Sequence, residues 1–109
     1  MVDYLDADLK KFIDKYVTSF LAWDLLIFFH THPWTANGAD ELALKLGRRA
    51  EDIDQAAAEL AEKSVLVCEG ALFSYSPAEE TQVLIERFVH ALDDREKRLL
   101  ILTEVLQKR

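Results

Sequence analysis

Residues 40–49 read Asp40-Glu41-Leu42-Ala43-Leu44-Lys45-Leu46-Gly47-Arg48-Arg49, and the rest of the chain is read outward from them. Leu42, Ala43 and Leu46 recur at three- and four-residue spacing, so they share one face of a short helix that opens at Asn37-Gly38-Ala39-Asp40. Gly47 closes that helix, because a left-handed residue after the last turn carries no steric cost only in glycine. Arg48-Arg49 leave room for a tight turn and nothing longer. Ala50 to Lys63 then form another helix, with Ile53, Ala56, Ala57 and Leu60 inward. Two short helices are folded against each other across a two-residue link.

Downstream, Val65-Leu66-Val67-Cys68 and Leu72-Phe73-Ser74-Tyr75 are strand-like, and Glu69-Gly70-Ala71 between them signals a hairpin. Ser76-Pro77-Ala78-Glu79 predicts a capping box, with serine as N-cap, proline at the first helical position and glutamate at the third. Neither glycine nor proline follows up to Arg109. Ile85, Phe88, Leu92, Leu99, Leu102 and Leu106 make an apolar stripe interrupted by Arg95. Asp93–Lys97 and Asp94–Arg98 are acid-before-base pairs that support a helix. One long helix is expected, with a break at Asp93-Asp94 as the alternative.

Upstream, Pro33 disfavours helix in the residue before it and ends a helix at His30-Thr31-His32. Trp34-Thr35-Ala36 reads as extended. Asp6 or Asp8 caps a first helix whose inner face is Leu9, Phe12, Ile13, Tyr16, Val17 and Phe20. Thr18-Ser19 leaves open whether this is one helix or two. From Phe20 to Phe29 the chain is apolar on nearly every face, so this segment is central or lies in a subunit interface. Asp24 within it is expected to cap, to pair with a base from another element, or to face solvent.

Composition narrows the function classes. The chain has 109 residues, half of them hydrophobic, which makes one domain. The lone Cys68 forms no internal bridge and argues for a reducing, cytoplasmic setting. No signal peptide is expected at the start. Phe20–Phe29 falls well short of the roughly 20 apolar residues that span a bilayer. Twenty acids against thirteen bases give a net charge of −7, the wrong sign for a chain whose affinity would come from released phosphate counterions.

The order helix, short strand, helix, turn, helix, hairpin, helix resembles a winged helix-turn-helix. Asp40 to Gly47 is similar to the second helix of bacterial winged-helix regulators. Ile53, Leu60 and Val65-Leu66 match their third helix and first wing strand. Trp23 to His32-Pro33 resembles their first helix, and the terminal segment is similar to the dimerisation helices of MarR- and PadR-type repressors. The resemblance covers about 19–76. It implies a mainly α fold with a small β-hairpin wing, divided into an N-terminal helix (1–18), a winged unit (19–76) and a dimerisation helix (77–109). It also implies a non-enzymatic transcription regulator whose third helix enters the major groove of duplex DNA.

The residues at that third helix point elsewhere. The matching positions are Glu51, Asp52, Asp54, Gln55 and Ala58, followed by Glu59 and Glu62 on the same outward face. Ala50 to Lys63 holds five acids and one base. A carboxylate facing a phosphate costs about 1 kcal/mol in water and about 4 at a poorly hydrated surface. Several would cancel the roughly 4–10 kcal/mol by which specific binding exceeds nonspecific. Lys45, Arg48, Arg49 and Lys63 are the phosphate-contact candidates, and Gln55 is able to read adenine. The alternative is a winged-helix module that binds a basic protein through its acidic third helix.

Other chemistry has little to stand on. His30, His32, His90 and Cys68 come from three elements, and helix-terminal histidines have a plain explanation in the C-terminal dipole. Trp23, Trp34, Phe28 and Phe29 at helical spacing read as core before they read as a ligand pocket. No nucleophile motif, phosphate loop or paired acid/base set is present, so no cofactor, metal or catalysis is expected. Ile85, Phe88, Leu92, Leu99, Leu102 and Leu106 exceed what one small domain covers, which predicts a symmetric homodimer.

Overall fold

A computed structural model describes residues 5–107; positions 1–4 and 108–109 of the two terminal segments lie outside the described residues. Among the described residues there are six helices and a three-stranded antiparallel sheet, which packs chiefly against the second, third and fourth helices. The elements are α1 (Ala7–Tyr16), α2 (Phe20–Thr31), β1 (Ala36–Gly38), α3 (Ala39–Leu46), α4 (Ala50–Glu62), β2 (Leu66–Glu69), β3 (Leu72–Tyr75), α5 (Glu79–Ala91) and α6 (Arg95–Leu106).

Asp6 caps α1 by accepting the Leu9 amide at 2.9 Å. That bond, and then the Arg87 guanidinium paired with it, hold the Asp6 carboxyl below the usual carboxylate range. The first segment is two helices. Val17 leaves helical geometry, and Ser19 accepts the Ala22 amide as the cap of α2. Leu9, Phe12, Ile13, Tyr16 and Val17 are buried as the spacing requires, while Phe20 belongs to α2 and is half-buried.

α2 buries Ala22, Leu25, Leu26 and Phe29. Between α3 and α4, Gly47 takes φ +67°, and α4 turns Ile53, Ala56, Ala57 and Leu60 into the core. The hairpin register sets Glu69 against Leu72. Gly70 (φ 55°) and Ala71 (φ 67°) are both left-handed, the two-residue turn that matches strand twist. β1 sits further along than Trp34–Ala36 and adds to the hairpin through β3, giving the order β1-β3-β2. This is the wing and small sheet of a winged-helix arrangement.

Two expectations for the terminal segment are corrected. The Ser76 capping box does not form: the Ser76 amide donates to the Val65 carbonyl at 2.9 Å. The chain is still bound to the hairpin there, and the helix starts three residues later, behind Ala78 with no side-chain cap. The single long helix is two. Asp93 and Asp94 donate to the carbonyls of His90 and Ala91, tightening the last turn. The Asp94 carboxylate then accepts the amides of Glu96 (2.9 Å) and Lys97 (3.3 Å) as the cap of α6.

Phe88 ties the terminal helices to the winged unit. Its ring lies 5.7 Å from Phe12 and 5.8 Å from Trp23. α1 packs against both α5 and α6, and Lys10 pairs with Glu104 at 3.1 Å. No helix among the described residues is long and apolar enough to cross a membrane.

Candidate binding face

Burial of Ile53, Ala56, Ala57 and Leu60 fixes the rotation of α4, and the same rotation turns its acids outward. Glu51, Asp52, Asp54, Gln55, Ala58 and Glu62 are exposed, and Glu59 is half-buried. Glu59 accepts the Thr18 hydroxyl at 3.5 Å. Among the described residues, the exposure of Glu51, Asp52, Asp54 and Glu62 leaves the ridge open to solvent.

The four bases beside it are each engaged at home. Arg48 donates to Asp24 of α2 at 2.6 Å, which gives that lone acid in an apolar helix its partner inside one chain, at a half-exposed site. Arg49 pairs with Glu51 at 3.1 Å. Lys63 donates to the Lys15 carbonyl at 2.6 Å, closing the free end of α1. The Lys45 ammonium stands 5.9 Å from the centroid of the Phe28 ring. Arg48 and Arg49 each have a carboxylate within reach, which reduces the field they project outward; Lys63 and Lys45 keep their charge, one held at a carbonyl and the other beside an aromatic face.

Between the start of α2 and α4 runs a groove of about 480 Å³. Phe20, Leu21 and Ala56 supply apolar surface; Asp52, Glu59 and Gln55 supply acid and amide groups along one side.

The six residues expected to form one dimer seam separate at the helix break. Ile85 and Phe88 are fully buried, and Leu92 packs on the same core. Ile85 and Phe88 therefore have no surface to offer a second copy. Leu99, Leu102 and Leu106 are 52%, 37% and 52% exposed. α6 faces the core instead through Ile101 and Val105. The stripe failed as a single unit because the break changes the angular phase between the helices.

Trp23, Phe28, Phe29 and Trp34 do not line a common cavity. Trp23 packs on Phe20 and Phe88, Phe28 meets Phe29 edge to face, and Trp34 is 78% exposed. Cys68 is exposed on β2. Among the described residues no three His, Cys, Asp or Glu side chains converge as metal ligands would.

Comparison with protein-family models, curated proteins and solved structures finds no match for this chain.

Proposed function

We propose that this protein is a non-enzymatic winged-helix interaction module whose α4 face takes a basic protein partner. The observation that carries the proposal is the state of the charges: α4 exposes Glu51, Asp52, Asp54 and Glu62, while Lys45, Arg48, Arg49 and Lys63 are engaged by their own chain. Basic ligands gain from such a surface in rate and specificity; phosphates are repelled by it. The exposed single Cys68 suits a reducing, cytoplasmic setting.

Transcription-regulator activity on duplex DNA is the second reading, favoured by the strand order and by Gln55 standing exposed on α4. Fluorescence anisotropy separates the two. Labelled random duplex and a labelled helical peptide of lysine and leucine are each titrated with the protein at low salt. The peptide is expected to bind, with affinity falling as salt rises, and the duplex is not. Glu51→Lys plus Asp54→Lys is expected to weaken peptide binding and to make duplex binding appear. Tight, salt-dependent duplex binding by the wild type, abolished by Arg48→Glu plus Arg49→Glu, establishes the DNA reading instead.

A further inference from the structure

We infer that β2 is a self-pairing edge: two copies of the chain join antiparallel through this strand, with the two-fold axis at Val67. The contact does not depend on what the α4 face binds.

The sheet order β1-β3-β2 leaves β2 at one side, with no strand beyond it among the described residues. The phase of the hairpin says which of its backbone groups are spare. The two-residue turn at Gly70-Ala71 makes Glu69 and Leu72 a hydrogen-bonded pair. At the other end the Ser76 amide donates to the Val65 carbonyl at 2.9 Å, in the same phase. Val65, Val67 and Glu69 therefore turn their amides and carbonyls towards β3. Those of Leu66 and Cys68 point away from it, and among the described residues no hydrogen bond engages them. Two donors and two acceptors at alternate residues are a template for another extended backbone. An open groove of about 490 Å³ lies along Leu66, Val67 and Cys68, bounded by Ala61 and Glu62 at the end of α4.

The symmetry of the strand selects its occupant. Ser64 (φ 64°) and Gly70 (φ 55°) are left-handed, so the stretch able to pair is Val65 to Glu69, centred on Val67. The spare groups of Leu66 and Cys68 lie equally on either side of that centre. Turned about Val67, a second β2 sets its Cys68 against Leu66 and its Leu66 against Cys68, and every spare group on both strands is used. Shifted registers lose this match. Centring on Cys68 brings Leu66 opposite left-handed Gly70, and centring on Leu66 brings Cys68 opposite left-handed Ser64. In the matched register the two Val67 residues form a non-hydrogen-bonded pair, where side chains stand closest. Val67 is apolar and 40% exposed, so the centre of the contact covers apolar surface. The product is one continuous sheet, β1-β3-β2-β2-β3-β1, with an isologous interface that closes at two copies.

Charge does not drive this pairing. Glu69 of each copy falls opposite Val65 of the other, so the two Glu69 carboxylates stand about 13 Å apart along the strands, beyond the screening length of about 10 Å in 0.1 M salt. Glu62 and Lys63, one acid and one base, precede Val65 at each end. Each whole copy carries −7, so added salt is expected to favour association by screening repulsion. So short a strand covers less than the roughly 800 Å² per partner of a stable complex, which makes the dimer weak and concentration-dependent.

Sedimentation of the whole chain from low micromolar to near-millimolar protein tests this. Wild-type average mass is expected to rise towards twice the monomer and no further, and to rise more as salt is added. Val67→Lys sets two ammonium groups against each other at the axis and is expected to weaken association at least about tenfold. Val67→Ile is expected to keep it, with circular dichroism of both variants unchanged. Register is read by mild oxidation in a Cys68→Ser background. Val67→Cys faces its own copy across the axis and is expected to cross-link at least about ten times faster than Glu69→Cys, which faces Val65. A wild type that stays monomeric throughout overturns the inference, even if β2 then takes a foreign extended peptide. So does a dimer that survives Val67→Lys but is dissolved by Leu99→Ser plus Leu102→Ser, a pattern that belongs to α6. Equal cross-linking rates at 67 and 69 overturn the register and the inference with it.

Discussion

Lys45, Arg48, Arg49 and Lys63 border an acidic helix and are each occupied within the chain, whereas Arg95, Lys97 and Arg98 at the head of α6 enter no ion pair among the described residues. A count of bases weighs the two groups alike. The fields of Arg48 and Arg49 are the weaker ones, because an anion at hydrogen-bond distance offsets a cation's attraction for anything farther away. The leucines divide in the same manner. Those of α6 stand open to solvent, while the aliphatic and aromatic residues of α5 on the same sequence stripe are shut inside. Availability of a residue is set by what the rest of the fold places beside it.

The largest effect is expected where the stripe is closed. Phe88→Ala removes a ring that touches both Phe12 and Trp23, and urea denaturation is expected to show a loss of about 3–5 kcal/mol. Leu106→Ser in α6 is expected to shift stability by no more than about 0.5 kcal/mol. Equal costs at the two sites would erase the contrast between the helices. Next comes the break that creates it. Asp94→Ala leaves the Glu96 and Lys97 amides without their acceptor and is expected to cost about 1 kcal/mol. Asp94→Asn is expected to recover most of it.

Asp24→Asn addresses the occupied cations. The Arg48–Asp24 pair is half-exposed, so stability is expected to fall by less than about 1 kcal/mol. The informative readout is duplex anisotropy at low salt, which is expected to rise from background as Arg48 is released. No change would mean that Arg48 was never the restraint.

Tyr75→Phe is the smallest change and lies outside both charge clusters. The Tyr75 hydroxyl is buried with no hydrogen-bond partner, so removing it is expected to be neutral or slightly stabilising. Burial, with the Glu86 charge adding to it, pushes this phenol up to about 12 from 10.0. The folded chain thus keeps a proton that the unfolded chain releases, and wild-type stability is expected to drop as pH climbs through that interval. Phenolate absorbance and the melting of Tyr75→Phe check the sign.

Local signals in the sequence were informative where one segment decides the outcome alone. Gly47 ends α3, the α4 core face follows from Ile53, Ala56, Ala57 and Leu60, and the hairpin turns at Gly70-Ala71. Distant partners were not legible. Nothing around Lys63 announces that it reaches the Lys15 carbonyl, and Asp24 carries no sign of its match to Arg48. At Ser76 a strong local motif lost to the sheet, because the amide was already bound to Val65. At Asp94 the propensity for one continuous helix lost to a carboxylate that caps a new one. The acid ridge could be read from helical periodicity; the occupied state of its neighbouring cations could not.

α1 has a consequence for how the chain comes together. It packs against α5 and α6, and ion pairs link Asp6 to Arg87 and Lys10 to Glu104. During synthesis α1 emerges before α5 and α6 and must wait for them, while α3, α4 and the hairpin meet neighbours close in sequence. The early helix is therefore the late one to lock, and in refolding monitored by pulsed hydrogen exchange its amides should gain protection after those of the winged unit. Until then, Leu9, Phe12 and Ile13, buried in the finished fold, are an uncovered apolar strip on an unfinished molecule.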